Sequence, residues 1–82
     1  MVFSFNIAVN DPLIAFRNAQ EQIEKTGGKL KGDDMSGKFS GLGVKGKYNV
    51  HGNGKVAITI TEKPFFASEE LIKSKVKEFF VS

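Results

Sequence analysis

The chain has 82 residues, a net charge of +3, and neither cysteine nor tryptophan, so disulfides, thiolate metal sites and cysteine nucleophiles are excluded together. A hydrophobic share of 40% that includes eight Phe argues against disorder. One domain of this size buries roughly 60–65% of its unfolded surface, a modest core that leaves no room for a deep cleft between two domains.

The opening Phe3, Phe5, Ile7 and Val9 alternate with Ser4, Asn6 and Ala8, the period of a half-buried strand. Asn10-Asp11-Pro12 then supplies a cap and a proline suited to the first helical position. The predicted helix runs to about Lys25, ends at Thr26-Gly27-Gly28, and carries Phe16, Ala19 and Ile23 on one face. Leu13 lies at the edge of that face and Ile14 points away from it. A strand is expected over Met35 to Ser40 with Phe39 inward; Leu30 and its flanking lysines stand at its start, and it turns at Gly41-Leu42-Gly43.

Next, Val44, Gly46, Tyr48 and Val50 alternate with Lys45, Lys47, Asn49 and His51. After His51-Gly52-Asn53-Gly54, Val56, Ile58 and Ile60 alternate with Ala57, Thr59 and Thr61, which makes a hairpin. Pro64 stops the sheet, and Ser68 caps a second helix with Glu69 and Glu70 in its first turn. Ile72, Val76 and Phe79 form that helix's apolar stripe, with Leu71 and Phe80 at its margins. The predicted order is β-α-β-β-β-α: an α+β fold with a single antiparallel sheet of about four strands covered on one face by two helices. Phe5, Ile7, Phe16, Ile23, Phe39, Tyr48, Val50, Ile58, Ile60, Ile72, Val76 and Phe79 are the expected core.

Candidate chemistry is sparse. Gly41-Leu42-Gly43-Val44-Lys45-Gly46 matches the dinucleotide pattern GxGxxG, yet it leads into strand residues and not a helix, so a tight turn is expected, with Gly46 letting a helix come close to the sheet. His51 is the single histidine and belongs to a hairpin end. Asp33-Asp34 could hold a cation or exchange protons, but adjacent strand residues face opposite ways and no calcium-loop spacing surrounds them, so a turn or edge is favoured. No catalytic residue, metal ligand or cofactor site is nominated. No apolar run reaches a membrane span and no basic residue precedes Arg17, so a cytoplasmic protein is expected.

The charge is unevenly placed. Residues 1–28 net −1, residues 29–55 net +4, and residues 56–82 net 0, so the whole positive excess lies in the Gly-rich middle third. By parity the outward sheet face displays Ser36, Lys38, Ser40, Lys45, Lys47, Asn49, Thr59 and Thr61. Lys38, Lys45, Lys47, Asn49, Thr59 and Thr61 make the candidate partner surface. The lysines suit phosphates, but the face lacks the aromatic platform of sheet-based RNA binders, which disfavours nucleic acid. Lys73, Lys75 and Lys77 flank the last helix's stripe, where their stems can snorkel over a core-covering face. Surplus apolar surface is expected at Ile14, Phe80 and Val81, too little for a large obligate interface, so a monomer or weak homodimer is expected.

The stretch Gly37-Lys38-Phe39-Ser40-Gly41-Leu42-Gly43-Val44-Lys45-Gly46, followed by a strand and an amphipathic C-terminal helix, resembles the small bacterial polyhydroxyalkanoic acid system proteins. The likeness spans roughly residues 12–80 in order of elements and is residue-level over Phe39 to Gly46; the first helix here is less acidic than theirs. It implies a bacterial, cytoplasmic accessory protein acting at storage granules, and supplies no catalytic residues. The expected function is a non-enzymatic accessory or interaction module whose partner is a protein or a granule or polymer surface. The rival reading is a binder of an anionic polymer, RNA or DNA, through the lysine-bearing sheet face.

Overall fold

The computed structural model describes residues 3–52 and 54–81. Strand β1 (Phe3–Ala8) leads into helix α1 (Pro12–Lys25), then β2 (Lys29–Gly32), β3 (Ser36–Gly41), β4 (Val44–His51), β5 (Lys55–Glu62) and helix α2 (Glu69–Val81). The strands form one sheet in the order β1-β5-β4-β3-β2, with every neighbouring pair antiparallel. Both helices lie over one face and pack against each other, α1 reaching β2 and β3 and α2 reaching β1. The α+β class stands, with five strands in place of about four.

The extra strand is β2. Lys29–Gly32 was expected only as the start of the next strand, but Asp33 breaks the run. Its carboxylate accepts from the Met35 amide at 2.8 Å and the Ser36 amide at 3.0 Å, and its own amide donates to the Ser36 carbonyl at 2.9 Å. This Asx turn folds the chain back so that Leu30 pairs with Phe39. The two amides hold the Asp33 carboxyl below the usual carboxylate range, Ser36 contributing most. The Asp33-Asp34 pair is thus a turn, as expected.

Local signals set both helix starts. The Asp11 carboxylate accepts from the amides of Leu13 and Ile14, and the Leu71 amide donates to the Ser68 hydroxyl. Ala19, Ile23, Ile72 and Val76 face the core as expected, and each helix departs from expectation at one position. Ala15, Ala19 and Ile23 are the buried stripe of α1, and Phe16 is only half-buried. In α2 the stripe is Ile72, Val76 and Phe80; Phe80 is 3% exposed and meets the Tyr48 ring edge-on at 5.5 Å, whereas Phe79 is half-buried. Leu30 and Val56 join the core, and Phe5 and Val50 pack against it half-buried.

Surplus apolar surface is therefore only partly where it is expected. Ile14 is exposed, but Phe80 is not, and the side chain of Val81 lies outside the described residues. Phe65, at 95% exposure, and Phe66, at 79%, are the conspicuous bare rings.

The Gly41–Gly46 segment is a hairpin turn and not a phosphate loop. Leu42 and Gly43 both have positive φ, 55° and 81°, the signature of a two-residue turn whose twist matches its strands. Gly46 admits no helix. A Cβ there would lie 2.6 Å from the Phe39 ring, so the glycine makes room for an aromatic from the neighbouring strand. Asn53 of the expected Asn-Gly turn lies outside the described residues.

Tyr48 sits at the centre of the core, its hydroxyl donating to the Asp33 carbonyl at 2.7 Å. Burial, then the charges of Asp33 and Asp34, pushes the phenol up to about 12. An unfolded tyrosine ionises near pH 10 (roughly). Stability from the protonated phenol is therefore fully present below about pH 10 and is lost as pH climbs towards about 12. At about 1.4 kcal/mol per unit, the loss is on the order of 2–3 kcal/mol. Urea unfolding at stepped alkaline pH should show the gap between the wild type and Tyr48→Phe closing over that window; parallel curves would refute this.

Candidate functional site

The face of the sheet turned away from the helices is built by strand register. Lys31 lies opposite Lys38, Lys38 opposite Lys47, Lys47 opposite Thr59, and Thr59 opposite Ser4, a single row across all five strands. A second row places Lys29 opposite Ser40 and Ser40 opposite Lys45. A third runs Ser36, Asn49, Ala57, Asn6. Neighbouring strands lie about 4.8 Å apart, so three ammonium stems in the first row rise from adjacent positions.

Five lysines thus share one side of the β2-β3-β4 ribbon. The one ion pair among them in the described residues joins Lys45 to Glu62 at 3.5 Å, with both side chains largely in solvent. Such a pair contributes little and is readily exchanged for another anion. Lys29, Lys31, Lys38, Lys45 and Lys47 frame a shallow depression of about 460 Å³. At its edge a β-bulge between Lys45 and Gly46 leaves Thr61 outside the ladder, and the Thr61 hydroxyl donates to the Lys45 carbonyl at 3.2 Å.

Of the six residues read from sequence, Lys38, Lys47 and Thr59 share one row. Lys45 and Thr61 meet at the bulge, and Asn49 lies one row further along. Parity placed Lys38, Lys45, Lys47, Asn49 and Thr59 correctly. It missed Lys29 and Lys31, whose alternation around the inward Leu30 was the available signal. Among the described strand residues, no Phe or Tyr side chain joins these rows; Phe39 and Tyr48 are buried on the helix side.

The arrangement can hold an anion by charge and by lysine and hydroxyl hydrogen bonds. His51 stands exposed at the end of β4, opposite Lys55. Among the described residues no three His, Asp or Glu side chains come together, and no helix is long and apolar enough to cross a membrane. Compared with family models, with curated proteins and with solved structures, the chain shows no match.

Proposed function

We propose that the protein is a non-enzymatic interaction module that takes an anionic polymer, the phosphate backbone of RNA or DNA, on its lysine-bearing sheet face. The supporting observation is the row Lys31, Lys38 and Lys47. Like charges directly opposite one another on adjacent strands destabilise a sheet, and a polyanion laid across them turns that repulsion into attraction. Without aromatic rings on the face, recognition is of phosphates and independent of base sequence. As an accessory protein of the bacterial cytoplasm, which the resemblance implies, it would meet such polymers there.

Fluorescence anisotropy with a labelled single-stranded 20-mer RNA tests this. With five lysines engaged, log K should fall against log salt with a slope of about −3.5. Affinity that is insensitive to salt, or a marked preference among base sequences, would count against the reading.

A storage-granule setting is the second reading. The observation favouring it is the pair of bare rings, Phe65 and Phe66, whose centroids lie 5.7 Å apart in the loop before α2. Exposed apolar clusters of this kind commonly mark contact sites.

A further inference from the structure

On the helix side of the sheet the chain leaves a gap. It opens where α1 ends, where β3 turns into β4, and where Pro64–Ala67 crosses to α2. The cavity measures about 270 Å³, and its walls include Ile23, Phe39, Val44, Ile72, Val76 and Phe79. The cavity is open to solvent on one side, so it is a groove in the helix layer and not a sealed void. Apolar cavities of roughly half that volume, about 150 Å³, stay dry and admit benzene-sized guests.

The mouth is apolar as well. Leu42, Phe66 and Leu71 line the cavity and are all exposed. Leu42 is the one non-glycine residue with positive φ among the described residues. Glycine or asparagine suits that conformation, and a leucine there is strained. The turn thus holds an apolar side chain in water, over a cavity, against the preference of its own backbone. Phe66 is fixed by a second turn, in which the Ala67 amide donates to the Pro64 carbonyl at 3.1 Å and the Lys63 ammonium donates to the Ala67 carbonyl at 3.0 Å.

Polar groups at the lining are few. The Thr26 hydroxyl donates to the Ile23 carbonyl and is occupied. Lys75 is the one cation there, its ammonium 3.7 Å from Glu78 in a solvent-exposed pair that another carboxylate can replace.

We infer that this cavity binds a single hydrocarbon chain with an anionic head: a medium-length fatty acid, its tail among Ile23, Val44, Val76 and Phe79 and its carboxylate on the Lys75 ammonium. A water-sized group occupies about 30 Å³, and a methylene is similar, so the cavity takes about nine carbons. The apolar walls fix the class of tail, and Lys75, the one cation of the lining, favours an anionic head that takes the place of Glu78.

Decanoate, titrated below its micellar concentration into the full chain, is the probe. Methyl NMR shifts at Ile23, Val44 and Val76 should saturate at one ligand per chain, with a rise in melting temperature. Decylamine, with the same tail and opposite charge, should bind about three- to tenfold more weakly, as should decanoate to Lys75→Glu, since reversing the charge turns the attraction of an exposed ion pair into repulsion. Leu71→Trp alters an exposed position at the mouth, spares the fold, and should abolish the methyl shifts. Decanoate that leaves these methyls unmoved, equal binding of decylamine, or uptake only on phosphatidylcholine vesicles would overturn the assignment. The RNA titration reads the opposite face of the sheet, so either reading can fail alone.

Discussion

Replacing Phe80 by Ala should cost about 3–5 kcal/mol, the usual penalty for emptying a buried aromatic site. Phe80 is nearly inaccessible and closes the core against Tyr48, whose hydroxyl in turn ties the β2–β3 turn to the centre of the sheet. A domain of this length has a total stability of about 4–12 kcal/mol, so the loss threatens folding outright. Where the variant still folds, its melting temperature should drop by more than about 12 °C. Phe79→Ala should cost far less, about 1–2 kcal/mol, because that ring is half-buried and already borders a cavity. Phe80→Leu keeps most of the volume and serves if the alanine variant does not fold; it should lose about 1–1.5 kcal/mol. If Phe79 proves the costlier of the two alanine substitutions, α2 does not face the core through Phe80.

That register marks the limit of what could be read from the sequence. Ile72 and Val76 define a stripe that continues equally well at i+3 or i+4, and both positions hold phenylalanine. Only the direction from which the helix meets Tyr48 chooses between them. In α1 hydrophobicity favours bulky Phe16, whereas packing α1 against α2 brings the small Ala15 and Ala19 inward. Helix starts were legible because Asp11, Pro12 and Ser68 act within one turn of chain. Strand β2 was less so: Lys29 and Lys31 alternate around Leu30, but so short a run does not separate a strand of its own from the start of the next, and its pairing depends on the Asp33 turn. The basic face inherits the same division. Its β4 and β5 members follow from alternation around a hairpin, while Lys29 and Lys31 enter only once β2 is a strand. Phe65 and Phe66 lie between elements, where no periodicity assigns a side chain to the inside or the outside.

Substituting Lys38 by Glu should make the protein more stable and a poorer binder at once. Lys38 stands between Lys31 and Lys47 in register, so the change turns two repulsive cross-strand pairs into two attractive ones. Each pair is worth about 0.2–1 kcal/mol, which gives a net gain on the order of 1 kcal/mol and a melting temperature higher by about 4–8 °C. The gain should vanish in 1 M salt, where the Debye length is about 3 Å and exposed charges no longer sense one another. If the face takes RNA as proposed, the same substitution removes one phosphate-neutralising cation for the 20-mer and places a negative charge in the middle of the row. Affinity near physiological salt should fall at least about tenfold, and the salt slope should become shallower by about 0.7 for each phosphate left without its lysine. Lys38→Glu that is less stable at low salt would show that the three lysines do not repel as their register implies. RNA affinity unchanged by the substitution would remove this face from the binding role.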